Sequence, residues 1–179
     1  GHAVCQHGAA DANIAGIEGI DHGVGAGIVA AVIDHDLAAA FLVVPHLEAD
    51  LGRPRVDVVE LNRRRAPVTA NNFLRYTLAG AYDNTIFHRV MPGFVVQGGG
   101  YTETIEEREL FPPIINESGN GLKNQMMTVS MARFDDPHSA TNQFFFNLSD
   151  NESLDPNRRN WGYAVFGEVI EGWDVVMAI

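Results

Sequence analysis

The run Phe87-His88-Arg89-Val90-Met91-Pro92-Gly93-Phe94-Val95-Val96-Gln97-Gly98-Gly99-Gly100 sets one cation and one amide among apolar residues, with turn punctuation between them. Its periodicity predicts a strand over Ile86–Val90, a tight turn at Pro92-Gly93 and a second strand over Phe94–Gln97. Side chains alternate along a strand, so Phe94 and Val96 are expected on one face, Val95 and Gln97 on the other. Arg89 then projects beside an apolar wall. A guanidinium held there offers fixed donors to a carbonyl or amide in otherwise hydrophobic surroundings, which suits a polarised peptide group.

Other chemistries find less support. Gln97-Gly98-Gly99-Gly100 lacks the spacing and the following helix of a phosphate loop. The segment Asp150–Asp155 lacks the glycine and terminal glutamate of a calcium loop. His138-Ser139 with Asp135 or Asp136 has the residue types of a hydrolytic triad but no nucleophile elbow. His2, His7, His22, His35 and His46 crowd the first part of the chain without a recognised ligand spacing, so no metal is expected. Cys5 is the single cysteine, which excludes an intrachain disulfide and leaves cytoplasm and periplasm equally open. Sequons at Asn116, Asn147 and Asn151 matter only in a eukaryotic secreted protein.

A formal charge of -11 argues against a nucleic-acid or anionic membrane surface, which would need clustered Lys and Arg. The charge is uneven, because no Lys or Arg precedes Arg53 while seven acids do. The later part is therefore only mildly acidic. The start lacks the basic segment of a signal peptide and begins at Gly1 without Met. Two apolar stretches, Gly23–Ile33 and Leu37–Val44, each fall short of the ~20 residues of a spanning helix, so no membrane anchor is expected.

The elements that must carry the arginine run are legible from residue 46 onward. A length of 179 residues with 46% apolar content suits one domain plus an extension. Residues 1–44 show no sustained helical or strand period. His46–Asp50 and Arg55–Leu61 read as two short strands. Pro67 opens a helix closed by Gly80, with Ala70, Phe73, Leu74, Thr77 and Leu78 as its buried stripe. Residues 101–122, with Pro112-Pro113, read as an irregular loop. Strands are predicted near 127–132, 143–148 and 162–170, with a last helix from about Glu171.

The arginine run resembles the signature of the cyclophilin family of peptidyl-prolyl cis/trans isomerases. Two later segments agree in order and spacing. Ser130-Met131-Ala132-Arg133 with His138-Ser139-Ala140-Thr141-Asn142-Gln143-Phe144-Phe145-Phe146-Asn147 is similar to the family's central strands, and Gly162–Val169 to the strand after its active-site loop. The resemblance runs from about residue 46 to the end and is nearest the bacterial branch. It implies a mainly β fold, a closed antiparallel eight-stranded barrel capped by two helices, with a family domain over 45–179 and an unmatched extension over 1–44. It also implies a further strand pairing with the first, for which no segment is found before Ile179. The extension, matching nothing, is expected to be dispensable for activity.

The same resemblance implies site residues. Arg89 matches the catalytic arginine, with Gln97 and Phe94 beside it. Phe94, Val95, Phe145 and Leu154 match the apolar slot for a proline ring. Gln97 and Gln143 match amides that hold the substrate backbone, and Ala132 and Arg133 the stretch whose main chain pairs with it. His88 reads as a hydrogen-bonded structural histidine rather than a base, since isomerisation moves no proton. Tyr163 stands where many eukaryotic members carry His, and Ser153 where cyclosporin-sensitive members carry Trp, so weak cyclosporin binding is expected. Val95 replaces the usual Met or Leu, and Met127 a usual Gly. The implied partners are proline-containing peptides and unfolded or folding proteins, without cofactor, metal, nucleic acid or membrane, and a monomer is expected. The alternative is a catalytically weak proline-peptide binding or chaperone module.

Overall fold

In a computed structural model the chain is described from Val59 to Ile179, with the backbone of residues 30–33, 39–46 and 55–58 before it. The strands are β1 (Ala30–Ile33), β2 (Ala39–His46), β3 (Arg55–Asn62), β4 (Arg89–Met91), β5 (Val95–Gly98), β6 (Thr128–Met131), β7 (Phe144–Asn147) and β8 (Val165–Glu171). The helices are α1 (Pro67–Leu78) and α2 (Trp173–Ala178). The strands pair antiparallel into one sheet, ordered β1-β2-β3-β8-β6-β7-β5-β4. The expected closure into a barrel is absent: no register joins β4 to β1 at the two ends of the sheet among the described residues. Closure requires the ladder to return on itself, and end strands of three and four residues give little ladder to share.

Of the expected first strand, His46–Asp50, only His46 lies among the described residues. The partner of β3 is Ala39–His46, in register from Ala39 opposite Asn62 to His46 opposite Arg55. Phe41-Leu42-Val43-Val44 is the stretch rich in strand formers, whereas Leu47-Glu48-Ala49-Asp50 carries two acids. The boundary expected at 44/45 falls inside β2. Along its other edge β2 pairs with β1, the flank where the resemblance placed a further strand. Removing residues 1–44 would therefore strip β1 and most of β2 from the sheet. The early histidines and Cys5 lie outside the described residues, except His46, whose backbone ends β2.

Helix α1 begins at Pro67 as expected, but no side chain at its N-cap residue Ala66 satisfies the free amides. The distant carboxylate of Glu117 does so, accepting from the Val68 and Thr69 amides at 3.2 and 2.8 Å and from the Thr69 hydroxyl at 2.7 Å. Ala70, Phe73, Leu74 and Thr77 are buried. Leu78 departs from the expected stripe and is 55% exposed, because the helix ends there and Gly80 turns the chain away at φ 65. Phe73 is the hub of the core: its ring centroid lies 5.1 Å from each of Tyr82, Phe144 and Phe166. The helix thus anchors one face of β7 and β8, and the opposite face of β7 is left for the site.

The Met127 substitution resolves as backbone conformation. Met127 adopts φ 73, in the left-handed region that favours glycine. Its amide donates to Asn147 at 3.0 Å and its carbonyl accepts from Val169 at 2.8 Å, so the conformation is locked between β7 and β8. A non-glycine residue there costs about 1 kcal/mol or more. Met127→Gly is accordingly expected to stabilise the fold by about 1 kcal/mol, read as a raised urea midpoint at unchanged slope.

Candidate active site

Residues directly opposed on antiparallel strands project to the same face. Arg89 on β4 opposes Gln97 on β5, Gln97 opposes Phe145 on β7, and Phe145 opposes Ser130 on β6. These registers set four side chains in a row across four strands. The alternate positions, Val96, Phe144, Phe146 and Val129, belong to the core. Val95 shares the face of Gln97, as predicted, and is buried. Phe94 lies just before β5 rather than within it, and its carbonyl accepts from the Leu148 amide and from Asn151, both at 2.9 Å. Ile86, Phe87 and His88 likewise stand outside β4, where Phe87 packs over Gly98. A Cβ at Gly98 would lie 2.7 Å from the Phe87 ring.

The polar groups of the row are chained. Arg89 Nη1 donates to Gln97 Oε1 at 3.2 Å, and Gln97 Nε2 donates to Gln143 Oε1 at 2.8 Å. Gly100 makes this possible, since a Cβ there would sit 2.6 Å from the Gln143 amide nitrogen. Arg89 itself is exposed and has no carboxylate partner among the described residues. A neutral amide therefore orients the cation without cancelling its charge.

The apolar side of the groove lies beyond Phe145. Its ring meets that of Tyr163 edge-on, with centroids 5.6 Å apart. The Tyr163 amide donates to the Leu154 carbonyl at 2.9 Å, which brings the 152–156 and 160–163 segments together. Gly162 permits this approach at φ 65, because a Cβ would fall 2.4 Å from the Pro156 nitrogen. Arg133 lies over the Tyr163 ring at 4.9 Å. The Ala132 amide donates to the Gln143 carbonyl at 2.9 Å, so it is engaged within the sheet. The structure thus gathers Arg89, Gln97, Gln143, Phe145, Tyr163, Arg133 and Leu154 through direct contacts, with Phe94 and Ala132 tied in by main chain. A cavity of about 490 Å³ between Glu60, Arg64, Lys123 and Glu168 contains none of them.

His88 flanks Arg89 with its ring 4.8 Å from that of Tyr101. Burial lowers its pKa below the ordinary histidine value, and the Arg89 charge pushes the same way. The Ile86 carbonyl and the Gln143 side chain pull against this, but neither closes a well-formed hydrogen bond on the buried Nδ1.

Sequence reasoning missed the support beneath the groove. Asn147 is fully buried and donates to Thr128 Oγ1 at 2.9 Å and Ser130 Oγ at 3.3 Å, while Ser130 donates to Asn124 Oδ1 at 2.7 Å. Asn151 donates to Asn147 Oδ1 at 2.8 Å, and Asn124 donates to Asp155 through its amide at 2.9 Å and its side chain at 3.1 Å. Burial alone would raise the Asp155 pKa, but the Asn124 donors and Lys123, 3.3 Å away, outweigh it and hold the carboxyl below its usual value. Asn147 and Asn151 are thus structural, although their spacing marks sequons. The available signal was polarity at Ser130 and Asn147 inside otherwise apolar strands.

The family model described as cyclophilin type peptidyl-prolyl cis-trans isomerase/CLD matches residues 52–179. The chain is 54% identical over 125 residues to peptidyl-prolyl cis-trans isomerase cyp18 of Streptomyces antibioticus, covering 68% of this chain and 75% of that one. It is 50% identical over 115 residues to isomerase A of Dickeya dadantii, spanning 64% of this chain and 60% of that relative's length. Isomerase B of Escherichia coli is 50% identical over 115 residues, with 63% and 70% covered. The fold is similar to cyclophilin AquaCyp293 from Hirschia baltica, with a TM-score of 0.58 at 22% identity over 69% of this chain and 63% of that one. A Cryptosporidium parvum cyclophilin type isomerase, solved in the presence of the dipeptide Ala-Pro, gives 0.55 at 27% identity over 68% and 78%. The chain belongs to the cyclophilin-type peptidyl-prolyl cis-trans isomerases, a family of enzymes.

Because the His88 pKa is lowered, its ring is neutral at pH 7 and takes up a proton only below the usual histidine range. Turnover of an Xaa-Pro peptide is therefore expected to stay level from about pH 7 to 9. The unfolded chain takes up that proton first, so the His88 contribution to stability falls as pH drops through about 6.5. A pH series of kcat/KM and of urea midpoints checks both, with His88→Gln as the control that removes the stability slope.

Proposed function

We propose that Arg89, oriented by Gln97, catalyses Xaa-Pro isomerisation in this chain by stabilising the twisted amide, with Phe145, Val95, Phe94 and Leu154 receiving the proline ring. The barrier is lost amide resonance, ~18–20 kcal/mol, and no bond is cleaved. Neither nucleophile nor metal is required. When the C–N bond twists, the prolyl nitrogen regains a basic lone pair that neither planar form presents. A donor beside it binds the twisted state selectively, and each ~1.4 kcal/mol of preference gives tenfold in rate. The observation that carries this assignment is the Arg89–Gln97 contact at 3.2 Å in register with Phe145, which sets a charged donor beside an aromatic wall. Gln143 holds Gln97, and both amides stand ready for the substrate backbone together with the 132–133 main chain. His88 and Tyr163 complete the rim.

The substrates are proline-containing peptides in unfolded or folding proteins, where uncatalysed isomerisation takes on the order of tens to hundreds of seconds. The isomerase acts as a monomer in the cytoplasm or periplasm and takes no cofactor. The rival is a module that binds proline peptides without turning them over. Such a binder has no use for a donor above the prolyl nitrogen, which favours the enzyme.

Arg89→Ala is expected to lower kcat/KM for an Xaa-Pro peptide by at least tenfold while peptide binding persists, since the donor acts on the twisted state. Protease-coupled and NMR exchange assays measure this; equal rates in both proteins would leave the binding module standing. Cyclosporin is expected to inhibit weakly, because Ser153 is exposed and offers only a small hydroxyl. Ser153→Trp should tighten inhibition by about 1–3 kcal/mol through added apolar burial and an indole donor, as followed by drug titration against isomerase activity.

A further inference from the structure

The resemblance gives residue 133 a role through its main chain, but its side chain is engaged elsewhere. Arg133 Nε donates to the Gly162 carbonyl at 3.0 Å, and Nη1 to the carbonyls of Phe134 at 2.7 Å and Asp135 at 3.3 Å. Nη2 donates to Asn160 Oδ1 at 3.2 Å. Four of the five N–H groups a guanidinium carries are thus spent within the chain. The group bridges the segment after β6 to the turn before β8, and its carbon lies 4.9 Å above the Tyr163 ring. That ring in turn meets Phe145.

Building on the isomerase assignment above, we propose that Arg133 is a positioning residue that holds Tyr163 against Phe145 and so fixes one wall of the proline slot, without donating to the substrate. The Gly162 carbonyl, beside Tyr163, accepts from Arg133 Nε and also from Asn116 Nδ2 at 3.2 Å, so Arg133 is one of two side chains that hold the backbone there. Planarity matters here, because a fork can grip carbonyls on two segments while its face covers an aromatic ring. A lysine ammonium cannot do both.

The test compares Arg133→Ala and Arg133→Lys, each in the parent chain and in a Tyr163→Leu background. In the parent, Arg133→Ala is expected to raise KM for a proline tetrapeptide about fivefold with kcat changed less than about twofold, and Arg133→Lys to recover only part of the loss. In the Tyr163→Leu background the same changes should move KM little, because the ring through which Arg133 acts is gone. Equal shifts in both backgrounds would mean direct contact with substrate and would overturn the proposal. So would an unchanged KM in a folded Arg133→Ala protein. NOEs between the Phe145 and Tyr163 rings supply a measure that needs no turnover: they should weaken in Arg133→Lys, and full retention overturns the assignment even if Arg133→Ala does not fold. An inactive parent chain would defeat the isomerase assignment alone, since these NOEs still decide the role of Arg133.

Discussion

The alternation of side chains along β7 governs the molecule. Phe144 and Phe146 enter the core, where Phe73 and Tyr82 hold Phe144, and this forces Phe145 onto the opposite face. Because β5 is in register with β7, the same constraint aims Gln97 at Phe145, and through β4 it aims Arg89. A slip of one residue would exchange the faces and send the guanidinium's neighbours into the core. Core packing and site geometry are therefore one arrangement seen from two sides.

Two kinds of polar order sit on that frame. The Arg89–Gln97–Gln143 chain lies at the surface of the groove and is built from neutral amides and one cation, so the cation keeps its charge. The Asn124–Ser130–Asn147–Asn151 cluster lies beneath and is buried, with its amides satisfied by one another and by Thr128, Asp155 and the Phe94 carbonyl. The second ties the strands to the 148–155 segment from which Leu154 approaches Tyr163. A buried cluster of this kind is costly when any member is lost, because its partners keep their desolvation without their hydrogen bonds.

Local signals carried much of this. Pro67 marked the start of α1, the period-2 pattern separated Val95 from Val96, and the motif around Arg89 located the groove. What was hidden was long-range. The cap of α1 comes from Glu117, 49 residues from Val68, and nothing adjacent to Ala66 announces it. Asn147 and Asn151 carry a spacing that suggests glycosylation, and only their burial shows them to be internal. The partner of β3, Ala39–His46, lies largely in a stretch without a sustained strand period, so it carries no local signal of its own. The role of Arg133 could not be read at all, since its acceptors are mostly main-chain carbonyls, which every residue has.

Gly162 sets a dimension. With a methyl at that position the turn before β8 would have to retreat from Pro156 by about 1 Å to reach ordinary contact, carrying Tyr163 away from Leu154. One added carbon at Gly162 is thus felt at Tyr163 and Leu154, because the chain there has no slack toward Asp155 and Pro156.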